Sequence, residues 1–166
     1  MIFANIKLLP GEDPERLKSL GLKVINSRPR HRADGQASPC PPKLAQPCAA
    51  FDGCRCQIYA ERPRCCREFD CSLLGSVKAG RLRPAAALGI IRDALEKTSK
   101  VRKLLQTLGD ADEAAPLAAR FRRTAKRLEA AAPDNQTAEV YGQLTLAFHD
   151  LNLLLSGAFY PGSSLP

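Results

Sequence analysis

Tryptophan is absent from this chain, methionine occurs once and histidine only twice. His31 sits in a Pro/Arg-rich stretch and His149 beside Asp150, so neither reads as a ligand. There is no Gly-rich phosphate loop, Gly-x-Ser-x-Gly elbow or His-Glu-x-x-His pair, which excludes the commonest nucleotide, hydrolase and metalloprotease signatures. A cysteine nucleophile would want a partnering histidine, and none lies near in sequence. No apolar run approaches the roughly 20 residues of a membrane span; Leu151-Asn-Leu-Leu-Leu155 is far too short. Met1 to Lys7 lacks a basic segment followed by an apolar one, so no export signal is read. The expected compartment is therefore the reducing cytoplasm, where clustered cysteines bind metal more often than they pair.

What the chain does have is ordinary globular composition and an unusual cysteine distribution. Hydrophobic residues make up 45% and charged residues 25% of 166 residues, which argues against disorder and allows one domain, or a small one with an appendage. Lys and Arg number 25 against 17 Asp and Glu, leaving +8. All seven cysteines lie between Cys40 and Cys71, in the order Cys40-x7-Cys48-x5-Cys54-x-Cys56-x8-Cys65-Cys66-x4-Cys71. The same stretch is short of aliphatic residues and carries Pro39, Pro41, Pro42, Pro47 and Pro63. Such a segment buries little apolar surface by itself. A metal can hold it together, because ligand bonds formed only in the folded state turn metal-binding energy into folding energy.

Composition divides the chain into a cysteine-cluster module, residues 1–83, and a helical region, residues 84–166. Ile2, Ala4, Ile6 and Leu8 alternate as in a strand. Asp13-Pro14 then opens a short helix that Gly21 ends. Residues 27–47, with Arg28-Pro-Arg-His-Arg32, Gly35 and four further prolines, read as an exposed, mobile connection. From Pro84 onward, Leu88, Ile91, Leu95, Thr98, Val101, Leu105 and Leu108 recur at helical spacing until Gly109. Asp112 is a candidate cap for a second helix with the stripe Leu117, Phe121, Ala125 and Leu128. A third, from about 136 to 156, carries Val140, Leu144, Phe148, Leu151 and Leu155, with Gly157 as its expected end. The predicted fold is α-rich with minor β: an irregular cysteine module with two or three short strands, packed against an antiparallel three-helix bundle.

Within the module, Phe51-Asp52-Gly53 is a predicted turn, so that Cys48 and Cys56 can face each other from its two sides. Gln57-Ile58-Tyr59 reads as a short strand, and Pro63 as the start of a helical turn carrying Cys66 and Cys71. Thiols at a helix start acquire lowered pKa values and become better ligands, and Arg62, Arg64 and Arg67 push the same way. Four sulfurs on two such elements suit tetrahedral zinc or an iron–sulfur cluster. The expected metal ligands are Cys48, Cys56, Cys66 and Cys71, with Cys40, Cys54 and Cys65 as extra or substitute donors. Arg62 and Arg67 would either bond the thiolates from outside the ligand set or pair with Glu61, Glu68 or Asp70. Tyr59 and Phe69 would pack around the site.

Cys48, Cys56, Ile58, Tyr59, Arg62, Pro63, Cys66, Arg67 and Phe69 together resemble the signature of the YkgJ-type cysteine-cluster family, Cys-x7-Cys-x-Ile-Tyr-x-x-Arg-Pro-x-x-Cys-Arg-x-Phe/Tyr. The resemblance covers about residues 44–75 and implies a zinc- or iron-chelating protein. The family usually places a Cys-x-x-Cys-x-x-Cys-Cys cluster ahead of a strand and a short acidic helix. Ile2 to Leu22 resembles the segment after that cluster, and the cluster is missing. Either this chain has fewer ligands or its start lies upstream of Met1. Some relatives are protein lysine N-methylases through additional regions, which this chain does not show.

The basic run Arg120-Phe-Arg-Arg-Thr-Ala-Lys-Arg127 raises nucleic-acid binding through Arg120, Arg122, Arg123, Lys126 and Arg127. Against it, Phe121, Ala125 and Leu128 make the charges a solvated helix face, and stacking aromatics are scarce. The sequence therefore points to a metal-binding cysteine-cluster protein, zinc or iron, with no reaction identified. One alternative is a zinc-stabilised adaptor whose basic helices contact nucleic acid or an acidic protein. The other is a metallo- or redox enzyme whose site is incomplete in this chain.

Overall fold

The first helix forms where capping chemistry starts it. Asp13 accepts a hydrogen bond from the Glu15 N–H at 2.9 Å, and Pro14, whose missing N–H costs nothing in a first turn, opens α1 (Pro14–Ser19). Gly21, at φ +79°, turns the chain out of it. The computed structural model of the chain describes residues 5–26, 30–31, 37–38, 40–131 and 133–160. It divides into two compact units, Met1–Phe69 with Ala114–Pro116, and Asp70–Glu113 with Leu117–Pro166.

The first unit holds β1 (Asn5–Lys7), α1, β2 (Val24–Ile25), β3 (Arg30–His31), β4 (Ala37–Ser38), β5 (Lys43–Ala45), a 3₁₀ turn at Tyr59–Glu61 and the single-turn α2 (Arg64–Arg67). β1, β5 and β2 make an antiparallel sheet with β5 in the centre, and Leu44 is paired with Ile6 on one side and Val24 on the other. β3 and β4 pair separately. Residues 43–45, expected in an exposed connection, are thus the middle strand. The prolines on either side do not prevent this: Pro42 gives its carbonyl to Leu8 N–H at 2.9 Å, and a strand of three residues needs few donors. Leu44, 2% exposed, joins Leu8, Leu17, Leu22, Ala50 and Cys65 in a small apolar core. The cysteine-bearing segment therefore leans on apolar residues from the first 26 positions, which sequence spacing alone did not connect to it.

The second unit is helical: α3 (Ser72–Lys78), α4 (Pro84–Thr107), α5 (Leu117–Ala131) and α6 (Asn135–Ala158). α4 packs chiefly along α6, and α3 and α5 pack on α4. Val101, Leu105 and Leu144 are fully buried, and Phe121 stacks on Phe148 with ring centroids 4.3 Å apart. The N-terminal half of α4 is rotated from expectation. Ala87 and Ala94 face inward, while Leu88 and Leu95, expected in the core, are 58% and 63% exposed and Ile91 is exposed as well. α6 also runs through Gly157 to Ala158 instead of stopping there. Asp112 does not cap α5, which begins at Leu117; its carboxylate meets Arg123 instead, at 3.2 Å.

Asp134 caps α6, accepting from Thr137 N–H at 2.7 Å, and the bond holds its carboxyl below the ordinary value. Asp134→Ala is expected to lower the unfolding midpoint of the helical unit, by loss of the cap on α6. Urea unfolding followed by far-UV circular dichroism checks this, with Asp134→Ser near wild type.

Candidate metal centre

The turn that carries Cys48 and Cys56 is held by backbone and carboxylate hydrogen bonds. Phe51 N–H donates to Cys48 O at 3.1 Å, Asp52 N–H to Arg55 O at 3.1 Å, and Gln57 N–H to Ala50 O at 2.8 Å. Phe51 and Cys56 form an isolated antiparallel bridge, closing the loop around Gly53, whose φ of +103° suits glycine. Inside it, Asp52 Oδ1 accepts from the N–H groups of Cys54 and Arg55 at 2.7 and 2.6 Å, and Gln57 Nε2 donates to Oδ2. The Arg55 and then the Cys54 N–H hold the Asp52 carboxyl below its usual range.

After Cys56 the chain coils instead of extending. Gln57-Ile58-Tyr59, expected as a strand, passes into the 3₁₀ turn, closed by Glu61 N–H on Ile58 O at 3.0 Å. This return brings the Arg62 guanidinium over the Tyr59 ring at 4.0 Å, a cation–π contact. Buried Pro63 then opens α2, accepting from Cys66 N–H at 2.9 Å.

Cys48, Cys56 and Cys66 line one cavity of about 240 Å³. Leu22, Leu44, Phe51, Ile58 and Tyr59 supply apolar wall, and Arg62 supplies a cation. The wall residues Leu22 and Leu44 carry no local sequence signal for this role; the sheet pairing brings Leu44 here, and Leu22 follows the end of α1, its N–H bonded to Leu17 O at 3.1 Å. Cys71 belongs to the second unit. α2 ends at Arg67, so Cys71 is not on the same helical turn as Cys66; it is the N-cap of α3 in the helical unit, its Sγ accepting Leu74 N–H at 3.5 Å.

The other cysteines differ among themselves. All seven thiols are free. Cys54 is exposed at the loop tip and Cys40 is half-buried. Cys65 is 8% exposed within the apolar core, and its N–H donates to Glu12 Oε1 at 3.2 Å. Cys65 and Cys66 also border a second cavity, of about 360 Å³, with Ile6 and Phe69.

Burial pushes the Cys65 thiol up to about 12, and neighbouring Cys66 and Glu12 add to the effect. Burial also raises Cys66; its hydrogen bond with Cys65 opposes this, and the charges of Cys48, Glu12 and Cys56 reinforce it. The lowered value expected for Cys66 at a helix start is therefore reversed, because desolvation outweighs a single helical turn. Glu12 was invisible as a partner in the sequence, 53 residues away from Cys65.

The arginines divide similarly. Glu68 pairs with Arg64 at 3.0 Å and Asp70 with Lys78 at 2.5 Å, so these carboxylates have partners other than Arg62 and Arg67. Arg67 is exposed. In the basic run, Arg120 is 1% exposed and donates from Nε to Asp110 Oδ1 at 2.9 Å. Arg123 bonds the same carboxylate through Nη2 at 2.7 Å, and Arg127 donates to Leu108 O. Three of the five arginine and lysine residues proposed as a nucleic-acid face thus make internal contacts, while Arg122 and Lys126 are exposed.

The donor chemistry of the first cavity suits a thiophilic ion: three sulfurs, no carboxylate in its lining, the Gln46 amide and the Tyr59 hydroxyl as its side-chain oxygens, and one cation to offset thiolate charge. As placed, the donors do not yet converge. Among the described residues no group of three or more His, Cys, Asp or Glu could hold a metal ion. Among them too, no helix is long and apolar enough to cross a membrane. The chain matches no family model, no curated protein and no solved structure.

Proposed function

We propose that the first unit binds a thiophilic metal ion, zinc or iron, through Cys48, Cys56 and Cys66. The observation that carries this reading is that three thiols from two separate local structures, the closed loop after Cys48 and the helical turn after Pro63, line one apolar-walled cavity. The resemblance of residues 44–75 to the YkgJ-type signature supports it independently. Bound there, the ion would supply sulfur cross-links to a segment whose own apolar contribution is small. Arg62, fixed over Tyr59, offsets part of the thiolate charge. A thiol must give up its proton to ligate, and burial raises the Cys66 value, so uptake releases protons and affinity rises with pH.

Anaerobic purification followed by elemental analysis tests the reading. The expected result in the wild-type chain is one equivalent of zinc, colourless, or about two to four of iron with inorganic sulfide, brown. Cys48→Ser, Cys56→Ser or Cys66→Ser should each reduce retained metal at least about tenfold, the scale of losing ligands or their immediate support. Cys54→Ser, at the exposed loop tip, should retain it in full. A chain that is metal-free after reconstitution, or one in which Cys54→Ser is as damaging as Cys66→Ser, overturns the proposal.

A further inference from the structure

Going beyond the metal reading and not resting on it, we propose that this cavity of the first unit binds a small carboxylate with an aromatic body. Arg62 holds the carboxylate and the apolar wall holds the ring. The cation carries the argument. Among the described residues no carboxylate pairs with Arg62, whose guanidinium lies over the Tyr59 ring at 4.0 Å. Two acidic side chains of the same unit are engaged elsewhere: Glu68 pairs with Arg64, and Glu12 accepts from the N–H groups of Leu9 and Cys65. Stacking occupies the face of a guanidinium and leaves the N–H donors along its edge, which match the two oxygens of a carboxylate. Half-buried Arg62 is therefore a positioned cation without a counter-ion.

The lining suits the rest of such a ligand. It contains no carboxylate to repel an anion. Gln46 and Tyr59 bring an amide and a hydroxyl, both able to donate to an oxygen. Leu22, Leu44, Phe51, Ile58 and Pro63 supply hydrocarbon, and the thiols of Cys48, Cys56 and Cys66 behave toward an apolar ligand as small hydrophobes. A mostly apolar hollow with a few polar groups is the usual composition of a small-molecule site. Size sets the body. An apolar cavity of about 150 Å³ takes up benzene, so about 240 Å³ holds one ring, a short linker and the carboxylate. Phe51 and Tyr59 line the cavity yet are 48% and 63% exposed, so a ligand takes their rings out of water. With one guanidinium as the only cation in the lining, a single negative charge is matched and a polyanion is not.

Calorimetric titration of the full chain as purified, kept anaerobic with an uncharged phosphine, tests this. The probe is 3-phenylpropanoate. Its alcohol and amine analogues carry the same body with no charge or the opposite one, and acetate carries the charge without the body. The expected result is one saturable site, with the carboxylate at least about tenfold tighter than the alcohol, the scale of a charge-assisted hydrogen bond. The amine should bind more weakly than the alcohol, and acetate should not saturate. In amide spectra of the wild-type chain, the Arg62 Nε–H signal and the Phe51 and Gln57 N–H signals should move on binding. Arg62→Gln should erase the advantage of the carboxylate over the alcohol, and Phe51→Ala should weaken both alike.

Equal affinities for carboxylate, alcohol and amine overturn the proposal, as does the absence of saturable binding. Acetate binding as tightly as the probe means an adventitious ion only. An advantage that survives Arg62→Gln, or a wild-type Arg62 Nε–H signal that stays still at saturation, assigns the carboxylate to another group and overturns it too. Shifts confined to α5, where Arg122 and Lys126 are exposed, move the site out of this cavity. Should Arg62→Gln fail to fold, the order of the three analogues and the Arg62 signal in the wild-type chain decide.

Discussion

Asp110→Ala is expected to destabilise the helical unit by about 3–5 kcal/mol, the cost of leaving a buried charge without its partner. Arg120 is 1% exposed and its partner carboxylate 4%. Asp110 accepts from Arg120 Nε at 2.9 Å and from Arg123 Nη2 at 2.7 Å, and its own carbonyl accepts from Arg120 Nη2 at 3.0 Å. The alanine variant strands a guanidinium where water does not reach. Asp110→Leu combined with Arg120→Met should recover most of the loss, because a well-packed apolar pair avoids both desolvation penalties. Denaturant unfolding of the single and double variants, followed by far-UV circular dichroism, reads both numbers. A loss below about 1 kcal/mol for Asp110→Ala would place the pair among ordinary surface ion pairs instead.

The same carboxylate sets an acid limit. Burial alone would raise the Asp110 pKa, but hydrogen bonds and charge from Arg123 and Arg120 overcome it and leave the group below the ordinary 3.8. A carboxyl whose folded value is depressed contributes stability above its unfolded pKa and loses it as pH falls through the folded one. The stability gap between wild type and Asp110→Asn should therefore stay constant at neutral pH and narrow below about pH 4. A gap that widens on acidification contradicts this sign.

These two residues show where sequence reading reaches and where it stops. The three long helices were legible because apolar residues recur at helical spacing across α4, α5 and α6, and their polar breaks are short. Arg120 was not legible as a core residue, although it lies at helical spacing with Leu117, Thr124 and Leu128, all buried. Its charge masked its position, and the partner that compensates the charge belongs to the loop before the helix. In α4 the weak signal lost to the strong one: Leu88 and Leu95 outweigh Ala87 and Ala94 on any hydrophobic scale, yet the alanines are inside.

In the first unit, the loop between Cys48 and Cys56 could be anticipated because Asp52 and Gly53 are turn residues acting over a few positions. β5 could not. Its single large apolar residue, Leu44, stands among prolines, and its pairing strands are distant in sequence at Asn5–Lys7 and Val24–Ile25. Strand pairing between such separated short segments leaves almost no local trace. The wall of the thiol cavity was hidden for the same reason, since Leu44 reaches it through that sheet.

Leu44→Ala is therefore the substitution that most directly links fold and site. Leu44 is 2% exposed, pairs with both outer strands and forms part of the cavity wall. Truncating it should cost the first unit about 2–5 kcal/mol, whereas Ile25→Ala, at a residue 44% exposed, should cost well below that. Amide exchange separates the units: in Leu44→Ala under chelator, protection should fall at Leu8 and Ala45, whose N–H groups bond Pro42 O and Lys23 O, while α4 and α6 remain protected. Zinc at about 100 times its dissociation constant should restore about 2.7 kcal/mol, because it binds the folded unit and not the open chain. Recovery of Leu8 and Ala45 protection on adding zinc would mean that apolar packing and sulfur ligation stabilise one cooperative unit. Unchanged protection with zinc would mean that the sheet folds independently of the thiols, and the cavity would then bind its ion without contributing to the fold.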